Sequence, residues 1–231
     1  MKLIDSILEM ENVTVDIPLR GVRDIPKDPR IIKSKNGGYF LRALDNVSLS
    51  LVRGDRVGIV GGNGNGKTTL LKVIAGMLPI ASGNIEVKGT LRALLSIDTG
   101  NFQALTGRQN AILQYSLLGI EAVSLKDYID DVIEFSDLGS FIDMPIATYS
   151  PGMRGRLLFA MNTVEPADIL LLDEWLGVAD INFQKKAHDR LVEYIEKNEG
   201  FLFASHNHDL LMAMTDRRIE LNKGKVFDAE F

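Results

Sequence analysis

The stretch Gly61-Gly62-Asn63-Gly64-Asn65-Gly66-Lys67-Thr68-Thr69 constrains this chain more than any other. It fits the pattern G-x-x-x-x-G-K-[ST] with a further Thr behind it, and its surroundings are those the pattern requires. Upstream, Arg56-Val57-Gly58-Ile59-Val60 is a short apolar run suited to a buried strand. Downstream, Thr68 to Met77 has helix-forming, apolar-rich composition. Strand, glycine loop and helix therefore arrive in order.

The chemistry follows from the residue types. Gly61, Gly62, Gly64 and Gly66, with Asn63 and Asn65 between them, let the backbone curl with its N–H groups inward and leave no Cβ to hold a polyphosphate away. A helix starting near Lys67 adds positive partial charge at its N-terminus. Lys67 would reach the β- and γ-phosphates of a nucleoside triphosphate, and the Thr68 hydroxyl would ligate Mg²⁺. A glycine-rich turn with a chance lysine does not account for nine matching positions between a strand and a helix.

A chain of 231 residues, 45% of them hydrophobic, suits one large α/β domain or a core with a lobe. The formal net charge of −5 gives no general attraction to nucleic acid or an anionic membrane. With no cysteine there is neither a disulfide framework nor a thiolate metal site. Asp5 and Glu9 interrupt any signal-peptide core, and no apolar run approaches the ~18 to 20 residues of a spanning helix. The sequence thus reads as a soluble chain whose membrane role, if any, comes through a partner.

Taken in order, residues 7 to 17 read as a strand ended by Pro18. From Arg20 to Arg42 lies a surface insert, with Gly37-Gly38 and seven basic residues against Asp24 and Asp28. It is either a contact for anionic lipid or a membrane partner, or a solvated loop. Ala43 to Leu51 reads as a strand, Ile85 to Lys88 and Leu91 to Ile97 as two more. Helical periodicity then takes over, with cap signals at Thr106 and Ser124, and a third helix begins behind Ser150 with Pro151 at its first position. Residues 96–162 form an inserted helical lobe, and 1–95 with 163–231 the β subdomain and core.

Ile169-Leu170-Leu171-Leu172-Asp173-Glu174 is an apolar strand ending in two carboxylates, at the end of a parallel sheet where ligands gather. Asp173 can hold Mg²⁺ and Glu174 is placed to activate a water; the alternative is two solvated acids capping a strand. Residues 181 to 198 fit an amphipathic helix. Gly200 to His206 is another buried strand, whose terminal His206 could contact a γ-phosphate and its attacking water, although a lone histidine is more often structural. Arg218 to Phe227 reads as a hairpin about Asn222-Lys223-Gly224.

Phosphate loop, Asp-Glu strand, helical lobe ending in Ser150-Pro151-Gly152-Met153 and strand-end His206 together resemble the nucleotide-binding subunit of an ABC transporter, over nearly the whole chain. The resemblance implies a P-loop NTPase with a RecA-like α/β core, an N-terminal antiparallel β subdomain and an inserted helical lobe. It implies ATP and Mg²⁺, and a head-to-tail dimer with a second copy in which Ser150 and Gly152 cap the γ-phosphate held by the other subunit. It gives Lys67, Glu174 and His206 catalytic roles, and places Gly177-Val178-Ala179-Asp180 at the D-loop.

Leu105-Thr106-Gly107-Arg108-Gln109-Asn110, Ile133-Glu134-Phe135-Ser136-Asp137-Leu138 and Phe183-Gln184-Lys185-Lys186 are similar to the subfamily that exports bacterial surface polysaccharides and teichoic acids, as is the long insert before Ala43. That likeness implies an integral-membrane permease partner, a peripheral place on the cytoplasmic face of the cell membrane, and O-antigen, capsule or teichoic acid as cargo. Some members carry a C-terminal carbohydrate-binding domain; none is expected in a chain that stops soon after 227.

The chain departs from the family where Leu95-Ser96-Ile97-Asp98-Thr99-Gly100 stands without the usual Mg²⁺-ligating glutamine, Gln103 being out of register. For the adenine-stacking aromatic, Tyr39 is the best candidate, with Phe40 and Arg20 as rivals. A soluble ABC ATPase acting on nucleic acid or ribosomes, or a regulator without turnover, are the competing functions. The acidic balance and single cassette oppose the former, and Glu174 with His206 the latter.

Overall fold

The computed structural model describes residues 6–21, 27–34, 37–95, 102–173 and 181–229. Their described residues cluster into two compact units, one of 6–93, 168–173 and 199–229, the other of 94–95, 102–167 and 181–198.

In the first unit, alternating apolar residues build an antiparallel sheet. Strands β1 (Ser6–Pro18), β2 (Ile31–Lys33), β3 (Tyr39–Val52) and β5 (Ser82–Val87) lie in the order β2-β3-β1-β5. The strand read from Ala43 begins four residues earlier, at Tyr39, because β2 pairs with that stretch: Ile31 faces Leu41 and Lys33 faces Tyr39. Part of the basic insert is therefore sheet. Arg42 is tied to Asp16 of β1 at 3.1 Å, which neutralises a charge on that added strand.

The second sheet runs β10 (Lys225–Ala229), β9 (Arg217–Asn222), β4 (Arg56–Val60), β8 (Gly200–Ala204), β7 (Ile169–Asp173), β6 (Leu91–Leu94). β4 is parallel to both β8 and β9, and β7 is parallel to β8. The apolar runs of β7 and β8 are buried, as strands covered on both faces must be. Register places the strand ends: Ile59 pairs with Ala204, and Ala204 with Asp173. The carboxyl ends of β4, β8 and β7 thus finish together. A Cβ on Gly224, in the β9–β10 turn, would meet the Ala43 carbonyl oxygen at 2.7 Å, so only glycine lets this turn lie against β3. Helix α1 (Lys67–Ile74) follows the glycine loop and buries Leu70, Leu71, Val73 and Ile74.

The second unit contains α2 (Gly107–Leu118), α3 (Leu125–Ser136), two 3₁₀ turns (Gly139–Asp143 and Ile146–Thr148), α4 (Pro151–Asn162) and α5 (Ile181–Lys197). All three cap signals are realised: Thr106, Ser124 and Ser150 accept from the amides of Gln109, Asp127 and Met153. At Thr106 the box is reciprocal, the Gln109 side chain accepting from the Thr106 amide at 2.9 Å. Thr106→Ala is expected to cost about 1 kcal/mol, which for a chain of this size lowers Tm by about 2–4 °C; calorimetry showing no change would remove the cap from that role.

Tyr128 is fully buried, its hydroxyl donating to the Met161 carbonyl at 2.9 Å. The sequence assigns 181–198 to the core, yet α5 clusters with the helical lobe. Phe183 packs edge-on against Phe135 and Phe159, Arg190 pairs with Asp131, and Lys186 donates to the Glu134 and Phe135 carbonyls near the end of α3. The amphipathic stripe is as read, with Phe183, Ala187, Leu191, Tyr194 and Ile195 all buried.

Helix α6 (His208–Met214), in the first unit, is not visible in the periodicity. Seven residues are too few to repeat an apolar stripe. The Asn207 side chain caps it by accepting from the Leu210 amide at 3.1 Å.

Candidate functional site

Where β4, β7 and β8 end, a cavity of about 270 Å³ is lined by Gly62, Asn63, Gly64, Gly66, Lys67, Thr68 and Thr69, together with Asp173 and His206. Register explains the convergence, because the residues that follow three aligned strand ends must emerge side by side.

The loop is shaped by its glycines. Gly61, at φ 147°, lies so close to the Leu221 carbonyl that a Cβ would collide with it. Gly66, at φ 108°, caps α1, and a Cβ there would meet the Ala43 carbonyl oxygen at 2.8 Å. No side chain caps α1 and its first turn carries no acid, so its leading amides and the helix dipole present positive potential to the loop.

Lys67 is buried, and its ammonium donates to the carbonyls of Gly61 at 2.7 Å and Gly62 at 3.4 Å. It also lies 3.3 Å from His206 Nε2, and because an ammonium can only donate, that nitrogen is the acceptor. Gly61 and Asn65 do not line the cavity. Asn65 instead braces the loop: its Oδ1 accepts from the Lys223 amide at 3.3 Å and its carbonyl from the Gly224 amide at 3.1 Å.

Thr68 and Asp173 face the same cavity, a hydroxyl and a carboxylate beside a loop built for phosphates. Hard oxygen donors of this kind fit Mg²⁺, which commonly takes one or two protein oxygens and completes its shell with phosphate and water. Among the described residues there is no cluster of three or more His, Asp or Glu that would hold a metal without a ligand's help.

Tyr39, the aromatic expected to stack on adenine, stands apart from these residues. It does not line the cavity but lies two residues outward of Leu41 on β3, with the Lys33 ammonium 5.9 Å from its ring centroid. The pairing of β2 with the outer end of β3 holds it there. Besides the loop, Asp173 and His206, the cavity is lined by Ile17, Leu41, Ala43 and Arg30. Sequence reasoning missed these four, since no motif spacing marks them and Arg30 lies in the insert read as surface.

Arg30 grips both its neighbour and the loop. Its Nε and Nη2 donate to the two carboxylate oxygens of Asp28 at 3.1 and 2.7 Å, and its Nη1 donates to the Gly64 carbonyl at 2.8 Å. The hydrogen bonds from the Arg30 side chain, then from its amide, lower the Asp28 carboxyl to about 2. A depressed carboxylate contributes above its ordinary range and is lost only as pH falls toward that value, so the pair stays ionised at neutral pH.

Ser150 and Gly152 belong to the other unit, at the start of α4, where Ser150 Oγ accepts from the Met153 amide at 3.2 Å. Glu174, the D-loop positions Gly177 to Asp180 and the stretch 96–101 lie outside the described residues. No described helix is long and apolar enough to cross a membrane.

Comparison with known proteins agrees with this geometry. The ABC transporter family profile matches residues 44–177, more than half of the chain. The chain is 35% identical over 230 residues to the O-antigen export system ATP-binding protein RfbE of Yersinia enterocolitica, covering 96% of each. It is 39% identical over 201 residues to the teichoic acids export ATP-binding protein TagH of Staphylococcus haemolyticus, covering 87% of this chain and 75% of that one. In fold it superimposes with a TM-score of 0.72, at 18% identity, on an ATP-binding cassette solved as a dimer in a post-hydrolysis state with ADP and Pi, covering 97% of this chain and 100% of the other. With the family profile matched over more than half of its length and a relative covered almost from end to end, the chain belongs to the ABC transporter family as one of its ATP-binding domains.

Proposed function

We propose that this chain is the ATP-hydrolysing subunit of a membrane exporter of surface polysaccharide, O-antigen or teichoic acid among the candidates. The observation that carries the reading is the single cavity in which phosphate loop, Thr68, Asp173 and His206 meet, in a chain whose relatives are named for O-antigen and teichoic acid export.

In this reading ATP enters with its phosphates along Gly62 to Thr69, where backbone amides and the start of α1 receive them. Lys67 exchanges its bonds to the loop carbonyls for stronger, charge-assisted ones to the β- and γ-phosphates. Thr68 and Asp173 hold Mg²⁺, which when bound neutralises charge on the phosphate oxygens. Glu174, next in sequence after Asp173, takes the proton of the attacking water, and His206 contacts the γ-phosphate. A second copy supplies Ser150 and Gly152 from the start of its α4, completing each site across a head-to-tail dimer.

Transport itself requires a permease, since no described helix spans a membrane. The subunit then lies on the cytoplasmic face, and nucleotide-driven closing and opening of the dimer moves the permease between states. Cells whose only copy carries Glu174→Gln are expected to make lipid-linked glycan and accumulate it inside. Normal surface polysaccharide in that strain would refute the export role.

A further inference from the structure

Helix α4 opens at Ser150, and the side chain just before it holds that opening in place. Tyr149 is buried, and its phenol donates to the Phe141 carbonyl of the first 3₁₀ turn at 2.5 Å. Burial pushes the phenol above its ordinary value, so at neutral pH it keeps the proton it donates. The Tyr149 amide donates to the Ile146 carbonyl of the second turn at 2.9 Å. Backbone and side chain of Tyr149 are thus both fixed, one residue before the cap.

Gly107 makes room for this arrangement. It stands at the first position of α2 without a positive φ, so its backbone does not call for glycine, which weakens a helix. The space does: a Cβ there would meet the Tyr149 hydroxyl at 2.5 Å and Ile142 Cδ1 at 3.0 Å. The start of α2 is also laced to the segment ahead of Tyr149, the Gly107 amide donating to the Met144 carbonyl at 3.3 Å and the Ile146 amide to the Leu105 carbonyl at 3.0 Å.

On the other side, Ser150 Oγ accepts from the Met153 amide at 3.2 Å and the Ser150 carbonyl from the Arg154 amide at 3.0 Å, while Pro151 restricts the backbone before it. Ser150 has little freedom of its own, and its place follows that of Tyr149. We propose that Tyr149 is a positioning residue for ATP hydrolysis: its phenol, bound to the Phe141 carbonyl beneath Gly107, sets where Ser150 stands when α4 is presented to a second copy. The inference rests on the reading of Ser150 as a contact to the γ-phosphate across a dimer. It assigns that contact a support that acts on the nucleotide only through the next residue in the chain.

Phosphate release at saturating Mg²⁺ and ATP, followed against protein concentration, tests this on the full chain. Tyr149→Phe is expected to raise the protein concentration of half-maximal turnover by about fivefold, the scale of one lost hydrogen bond. The Kd for ADP, which has no γ-phosphate and needs only the phosphate loop, should stay unchanged by calorimetry. Gly107→Ala, which displaces the hydroxyl from the opposite side, should act in the same direction. In a Ser150→Ala background Tyr149→Phe should add nothing further, whereas a merely structural effect would multiply with the first. Wild-type behaviour of Tyr149→Phe, multiplying losses, an equal weakening of ADP, or failure of both Tyr149→Phe and Gly107→Ala to fold would each overturn the positioning role while Ser150→Ala still impairs turnover. A Ser150→Ala chain that hydrolyses ATP like the wild type at every protein concentration would instead overturn the shared-site reading, and this inference with it.

Discussion

Glu174→Gln is expected to retain ATP while losing about 10²-fold or more in turnover, the range over which a positioned general base acts. The amide keeps the size and shape of the carboxylate and removes only its ability to accept a proton, so nucleotide affinity should stay near that of the wild type. With hydrolysis blocked, the two copies should remain closed over ATP, and light scattering should report a doubling of mass in its presence. Phosphate release at a near-normal rate would remove Glu174 from the role of base. A slow but strictly monomeric variant at saturating ATP would count against the shared site.

Lys67→Ala should act on binding. Hydrogen bonds to a charged group contribute about 1.5–3 kcal/mol each, so losing the lysine's contacts to two phosphates should raise the Kd for ATP by about 100-fold. The structure adds a condition. Lys67 donates to the carbonyls of Gly61 and Gly62, and its removal leaves those acceptors to water. A thermal melt beside the titration separates the two effects: Tm should fall by no more than about 4 °C, roughly 1 kcal/mol for a chain of this size. An unchanged Kd would sink the assignment.

Much of this molecule is legible locally. The β4–loop–α1 unit is written in glycine, lysine and threonine positions, and the helices of the lobe in caps that each close within three residues. The hairpin of β9 and β10 turns at Lys223-Gly224, both at positive φ, and the buried strands β7 and β8 show as unbroken apolar runs. Helix α6 escaped because its signal is shorter than the period that would reveal it. The insert between Arg20 and Arg42 is sheet in part, because its strand β2 pairs with the outer end of β3, which also pairs with β1, and such pairing leaves no local signal.

The sequence by itself determined the phosphate loop, the strand that delivers Asp173 and the cap at Ser150, since each depends on backbone preferences and spacing within one short stretch. Only the tertiary structure decided what meets across the loop. Whether Tyr39 or Arg30 stands at the cavity depends on the register of β1, β2 and β3, and register is set by side chains that pack together from distant parts of the chain. A cation 34 residues from the carbonyl it holds leaves no periodicity or motif to find it by, so its place at the site follows from the folded sheet alone.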